Sequence, residues 1–278
     1  LQLTKQITTY IFILQKYRTL NIKTFMSLSD FSLSGKLALV TGGGTGIGLG
    51  ISKALIDAGA RVLITGRREE VLKTAVEDLG KHASYIVFDV TNKAAIPAIL
   101  KNAVHEFGAI DILINNAGIH LKKFAQETSD EEFESILQTN LLSVFALTRE
   151  CAKLMIAQES GSIIFIGSMA GLFGIDRVSA YGTSKAALTG LMNNLVTEYS
   201  KFNVRINTIA PGWIESPMFL NAINTDPSRK EKIINRIAMP GFGSPADIGN
   251  AAVFLASPAA RYITGIVLPV DGGAAVNF

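Results

Sequence analysis

Short apolar runs alternate along the chain with longer segments in which apolar residues recur at steps of three and four. The runs Leu37–Val40, Val62–Thr65, Tyr85–Phe88, Ile112–Ile114, Ser162–Ile166, Val204–Ile209 and Gly265–Val270 are continuous and rich in Val and Ile. Strands buried on both faces of a parallel sheet have this pattern. Between them, Ile47–Ala58 carries Ile47, Ile51, Leu55 and Ala58 on one helical face, with Gly59 as a C-terminal stop. Glu69–Leu79, Lys93–Phe107, Asp130–Ala157 and Ala180–Lys201 read as further helices, and Ser129 with Glu132 has capping-box spacing. Strands alternating with helices predict an α/β fold, a doubly wound sheet with right-handed crossovers and helices on both faces. Ligands of such sheets bind at the carboxyl ends of the strands, where strand order reverses.

Composition narrows the picture. With 278 residues, 48% of them hydrophobic and 18% charged, the chain can bury one sizeable core and is not a disordered segment. A net charge of +3 over this length predicts no nucleic-acid partner. The single cysteine, Cys151, excludes an intramolecular disulfide framework and a cysteine zinc site, and fits a reducing, cytoplasmic setting. Three scattered histidines, at 82, 105 and 120, predict no metal site, and the absence of an 18-residue apolar run predicts no membrane span. Residues 1–29 differ from the rest. Their apolar core, Tyr10 to Leu14, is short for a signal peptide. They are expected to be an extension, disordered or non-native, with a single domain over residues 30–278.

The first strand runs into Thr41-Gly42-Gly43-Gly44-Thr45-Gly46-Ile47-Gly48, which opens the first helix. Glycines there allow a tight turn and a close approach of a pyrophosphate to a helix N-terminus, although a ligand-free turn has the same letters. Asn115-Asn116-Ala117-Gly118 follows the fourth strand and can line the same crevice, or be a polar turn. Asp89, at the end of the third strand, is either an adenine contact or a cap on the Thr91–Asn92 turn. At the end of the second strand stand Gly66-Arg67-Arg68, where an acidic residue would favour NAD. An Arg fork suits a 2′-phosphate, so NADP is the preferred cofactor with NAD possible. The alternative is a solvated helix start in which Arg67 and Arg68 pair with Glu69 and Glu70.

Tyr181 and Lys185 are four apart, which on a helix puts both on one face. A neighbouring ammonium stabilises a phenolate, so a Tyr tuned toward neutral pH can exchange a proton with a carbonyl oxygen. Ser168, after the fifth strand, is placed to hold that oxygen. Asn140 lies inside a predicted helix, where Asn is a poor former; it either holds a water or is a satisfied core residue.

With these motifs in this order, residues 30 to 274 resemble the short-chain dehydrogenases/reductases. The resemblance rests on Thr41-Gly42-x-x-x-Gly46-x-Gly48, Asn115-Asn116-Ala117-Gly118, Asn140, Ser168, Tyr181-x-x-x-Lys185 and Pro211-Gly212. It implies a single Rossmann-type domain with a seven-stranded parallel sheet in the order 3-2-1-4-5-6-7, assembled as homotetramers or homodimers. It implies catalysis by Asn140, Ser168, Tyr181 and Lys185. Tyr181 is the acid/base, Lys185 bonds the nicotinamide ribose and lowers the Tyr181 pKa, and Asn140 holds a relay water. The implied cofactor contacts are Gly42, Gly44, Thr45, Gly46, Ile47, Gly48, Arg67, Asp89, Val90, Asn116, Ala117, Gly118, Tyr181, Lys185, Pro211, Gly212, Ile214 and Ser216. Thr45 is not basic, although many NADP-preferring members carry Arg or Lys there.

The substrate is expected to be a small carbonyl or alcohol compound. The segment 213–243 resembles the family's lid and carries Trp213, Met218 and Phe219, then Arg229, Lys230, Lys232 and Arg236. The apolar residues either line a pocket or pack the lid, and the basic run either attracts an anion or is a solvated face. Lys122 and Lys123 lie on the loop after Gly118, where a Lys can hold a carboxylate. Lys122, Trp213 and Met218 are the candidate substrate residues. The segments Ile119–Lys123, Arg229–Gly243 and Leu268–Gly273 look most like the gluconate 5-dehydrogenase branch. The alternatives are a 3-oxoacyl thioester reductase and a non-catalytic NADP-binding regulator.

Overall fold

In the first strand, β1 (Leu37–Thr41), side chains point alternately to two layers of core. Leu37 and Leu39 face one cluster of buried residues, and Ala38 and Val40 the other. The same division holds in β5 (Gly161–Ile166), with Ile163 and Phe165 on one side and Ile164 and Ile166 on the other. A strand covered on both faces has no polar face to show in its sequence, which is why the runs are continuous. The computed structural model describes residues 28–215, 219–220, 223 and 227–277. Of the extension expected over residues 1–29, residues 1–27 lie outside the described residues, and Leu28 and Ser29 belong to a 3-10 turn, Leu28–Phe31.

The remaining strands are β2 (Arg61–Gly66), β3 (Ala83–Val87), β4 (Ile112–Asn115), β6 (Val204–Pro211) and β7 (Val267–Val270). All pair in parallel, in the order β3-β2-β1-β4-β5-β6-β7. The order reverses between β1 and β4, which opens a crevice at their carboxyl ends. The helices are α1 (Gly46–Asp57), α2 (Glu69–Leu79), α3 (Ile96–Phe107), α4 (Asp130–Leu137), α5 (Ser143–Ala157), α6 (Ser179–Tyr199), α7 (Pro227–Arg236) and α8 (Pro245–Ala256). Side chains of α3, α5 and α6 fill one core layer, and those of α1, α2 and α8 the other. No helix among the described residues is long and apolar enough to cross a membrane.

The structure departs from the sequence pattern in several places. The helix expected over Asp130–Ala157 is broken by a π turn, Gln138–Leu142, between α4 and α5. Such widened turns concentrate at functional sites. β3 covers Ala83–Val87 and so starts two residues before the Tyr85–Phe88 run, since polar Ser84 breaks the apolar pattern on this edge strand. The pattern also missed α8, whose Pro245 start follows a Ser244–Asp247 capping box.

Candidate active site

The glycine turn is built for close approach. Gly46 has φ of 52° with open space where a side chain would stand, and a Cβ on Gly48 would collide with Gly42 O. Thr45 caps α1 from an extended backbone without a side-chain bond to the helix, so its hydroxyl does not block the N-terminus. That leaves the first N–H groups and the positive end of the helix facing the crevice. Asn116 braces the turn from the end of β4. Its amide donates to Thr41 O at 2.9 Å and Gly42 O at 3.2 Å, while Thr41 Oγ1 accepts from Asn116 N and Ala117 N at 3.0 Å each. Asn116 therefore shapes the site through the turn it holds.

A cavity of about 480 Å³ opens here. It is lined by Gly42, Gly44, Thr45, Gly46, Ile47 and Gly48, by Arg67, Asp89 and Val90, and by Asn116, Ala117, Gly118 and Ile214. It also takes in residues that sequence reasoning passed over, among them Thr65, Val71, Phe88 and Thr139. Thr65 is buried, and its Oγ1 has no hydrogen-bond partner among the described residues. An orphaned hydroxyl on the wall of a cavity, beside an uncapped helix N-terminus, fits a polar ligand of dinucleotide type. Glu69 and Glu70 pair with Lys73 at 3.4 and 3.3 Å, and no ion pair of Arg67 or Arg68 with them occurs among the described residues. Asp89 accepts from Thr91 N at 2.9 Å and Thr91 Oγ1 at 2.8 Å, bonds that hold its carboxyl below the usual range. Asp89 thus serves as the local cap while lining the cavity.

The four expected catalytic residues converge at the carboxyl end of β5 and the start of α6. Ser168 caps a short 3-10 turn, Met169–Gly171, accepting from Ala170 N at 3.1 Å. Tyr181 is half-buried in the first turn of α6. Burial pushes its phenol above the ordinary value, and a hydrogen bond with Ser168 works the other way. Lys185 is 6% exposed, and burial lowers its ammonium from 10.5 to about 8. Its Nζ lies 5.7 Å from the Tyr181 ring centre and donates to Ile166 O at 2.8 Å. At Tyr181 burial outweighs that hydrogen bond, and the Lys185 ammonium is directed at a backbone carbonyl. The result is a phenol that stays protonated through neutral pH, next to a group that titrates near 8.

Asn140 has the bonds of a satisfied core residue, one of the two readings open to it. It is wholly buried in the π turn, where its Oδ1 accepts from Ile119 N and its amide donates to Ile119 O, each at 2.9 Å, and to Ser184 Oγ at 3.0 Å. With both amide protons committed, the side chain is a clamp between the loop after β4 and α6. Gly118 lies at the same junction: a Cβ there would stand 3.1 Å from Asn140 Oδ1 and 3.5 Å from Lys185 Nζ.

Pro211 ends β6 and Gly212 N–H donates to Val270 O at 3.0 Å, carrying the chain to Ile214, which bridges to Gly243. Ser216 and Met218 lie outside the described residues, and Trp213 is half-buried beside this bridge. The Phe219 ring packs edge-on against Phe242 at 5.2 Å, so it closes its own segment. Arg236 is likewise tied down, donating to Ala274 O at 2.9 Å with its guanidinium over the Phe173 ring. Lys123 is held by both Glu132 oxygens at 2.8 and 2.9 Å, which removes it as a carboxylate reader. Lys122 keeps a place on the same loop. One contact was not anticipated: the His120 imidazole lies against the Tyr181 ring, with centroids 4.6 Å apart. Among the described residues, no group of three or more His, Cys, Asp or Glu could hold a metal ion.

The chain is similar to known proteins in sequence and fold. A family model described as Enoyl-(Acyl carrier protein) reductase matches residues 42–275. The chain is 37% identical over 242 residues to 3-oxoacyl-(acyl-carrier-protein) reductase of Vibrio cholerae, covering 87% of this chain and 98% of that protein. It is 38% identical over 252 residues to 2-dehydro-3-deoxy-D-gluconate 5-dehydrogenase of Escherichia coli, covering 89% and 98%. A crystal structure of gluconate 5-dehydrogenase from Burkholderia cenocepacia, in complex with NADP and tartrate, superposes with a TM-score of 0.86 and 32% identity, over 90% of this chain and 99% of that one.

Proposed function

The chain belongs to the short-chain dehydrogenase/reductase family of oxidoreductases, and from that premise we propose that it interconverts a ketone and a secondary alcohol on a sugar acid or polyol, with NADP(H) preferred. The observation that carries the reaction class is the junction of Ser168, Tyr181 and Lys185 beside a glycine-turn cavity. A nicotinamide dinucleotide bound in that cavity supplies or takes up the hydride. Gly42 to Gly48 would hold its pyrophosphate, Thr65 Oγ1 a sugar hydroxyl or phosphate oxygen, and Arg67 the 2′-phosphate.

The protein's own residues move the proton. Ser168 orients the substrate oxygen, and Tyr181 Oη gives that oxygen its proton as the carbonyl is reduced. The raised phenol pKa suits an acid that is to be fully protonated at neutral pH. Lys185, with its ammonium near 8, is the neighbouring group able to replenish that proton. In the oxidative direction the same groups act in reverse.

Similarity to sugar-acid dehydrogenases by sequence and by structure supports the substrate class. Similarity to acyl-carrier-protein reductases makes the thioester the comparison to run. Oxidation of NADPH, beside NADH, is to be followed with 5-ketogluconate and with acetoacetyl-N-acetylcysteamine. Faster turnover of the sugar acid with NADPH is expected. Faster turnover of the thioester overturns the substrate assignment, and equal use of NADH overturns the cofactor preference.

A further inference from the structure

Among the described residues, two buried side-chain oxygens have no hydrogen-bond partner, Thr65 Oγ1 and Ser200 Oγ. Thr65 lines the glycine-turn cavity. Ser200 lines a second cavity, of about 620 Å³, at the opposite end of the sheet, where the strands begin. Lys36 precedes β1, Asp111 precedes β4, and Gly161 and Val204 open β5 and β6; all four line this cavity. Its volume suits a small molecule. No residue of the glycine-turn cavity lines it, and neither do Ser168, Tyr181 and Lys185.

The charged side chains on its wall are Lys36, Arg205, Arg261 and Asp111, three cations against one carboxylate. Asp111 is engaged within the fold, where its oxygens accept from Lys36 Nζ and Leu37 N, each at 2.9 Å. Arg205 has no carboxylate partner among the described residues. It donates to the carbonyls of Leu255 and Ala256, at the end of α8, and of Ile263, and its Nε has no partner among the described residues. Burial holds this guanidinium below its ordinary value, as it does for a cation without a counter-charge. Arg261 is exposed and makes no ion pair among the described residues. A partly buried guanidinium bonded only to carbonyls is costly to keep, and a buried hydroxyl without a partner adds to that cost. Both costs are relieved by an anion. The excess of two positive charges on the wall matches a phosphate dianion, whose oxygens accept from several directions at once. We propose that the amino end of the sheet holds a second ligand site, in which Ser200, Arg205 and Arg261 bind a phosphate group, free or carried by a small molecule. The site stands apart from the reaction centre and does not depend on the substrate class proposed above.

The probe is inorganic phosphate, titrated calorimetrically into the protein saturated with NADPH, with chloride holding the ionic strength constant. NADPH fills the glycine-turn cavity with its own phosphates, which leaves the second cavity to be measured. Arg205 holds the end of α8, so the variants are Arg261→Ala and Ser200→Ala. Phosphate is expected to bind at one site per chain. Arg261→Ala should weaken it about tenfold, the loss of one charge-assisted hydrogen bond, and Ser200→Ala about threefold. Without phosphate, Ser200→Ala should leave the urea midpoint unchanged or higher, because no bond among the described residues is lost; a lower midpoint with unchanged phosphate binding would make Ser200 a residue of the fold alone and overturn its assignment. Glucose 6-phosphate is the second titrant: tighter binding than inorganic phosphate assigns the site to a phosphorylated metabolite, weaker binding to free phosphate. No binding to the NADPH-saturated protein, or binding that Arg261→Ala leaves unchanged, overturns the proposal.

Discussion

Replacing Lys185 with methionine separates the lysine's role in the reaction from its burden on the fold. The ammonium is buried, and its value falls from 10.5 to about 8. Because the folded value lies below the unfolded one, the unfolded chain holds the proton more tightly. Stability is therefore reduced in full below pH 8 and regained as pH rises from 8 toward 10.5. At about 1.36 kcal/mol per pH unit, the penalty on the wild type at pH 7 is about 3 kcal/mol. Methionine has a similar length and no charge, but it leaves Ile166 O without its donor, a loss of about 1–3 kcal/mol for a buried carbonyl. Urea unfolding at pH 7 should thus find Lys185→Met as stable as the wild type, or up to about 2 kcal/mol more stable. By pH 9.5 the penalty has fallen to about 1.4 kcal/mol, so the variant should lose about 2 kcal/mol of relative stability. Its rate of NADPH oxidation should drop by about 10²–10⁴ at both pH values. A stability difference that does not move between pH 7 and 9.5 would refute the lowered pKa. A variant with full activity would refute the role in proton transfer.

Other substitutions probe single steps. Tyr181→Phe removes the hydroxyl that gives up the proton and should lower kcat by about 10²–10⁴ while fluorescence titration finds NADPH binding intact; retained activity would exclude Tyr181 as the acid. Arg67→Ala should raise the KM for NADPH about 10–100-fold, the loss of a charged hydrogen bond, with little change for NADH; equal changes for both would mean that Arg67 does not read a 2′-phosphate. Thr65→Val removes a buried hydroxyl that has no hydrogen-bond partner among the described residues. It should leave the urea midpoint unchanged or higher and weaken NADPH binding about 2–10-fold; lower stability with unchanged binding would count against a ligand contact at Thr65.

The sheet was legible because its strands are covered on both faces, so burial alone wrote the runs at β1, β2, β4, β5 and β6. The edge strand β3 and the helix α8 were harder to read. β3 is half-buried and carries Ser84, while α8 shows its apolar residues in a short run after Gly243, Ser244 and Pro245. Most of the candidate site was legible too, since the glycine turn, Asn116 and Ser168 each follow a strand, a parallel sheet gathers strand ends, and Tyr181 and Lys185 are spaced to share a helix face. What the letters hid were contacts between loops. Nothing near Asn140 in sequence signals that its amide holds Ile119, or that the helix widens around it.

Glu132 shows the same limit from the other side. Its spacing from Ser129 marked it correctly as a capping residue, and the structure keeps that bond at 2.9 Å from Ser129 N. The same carboxylate also takes Lys123, a residue that sequence reasoning had offered to the substrate. Local spacing can assign a group one partner; it cannot count how many partners the fold brings to that group. Here the second partner changes the reading of the site. Once Lys123 is part of the frame that fixes the loop, its ammonium supports the site and is no longer a candidate for holding a substrate carboxylate.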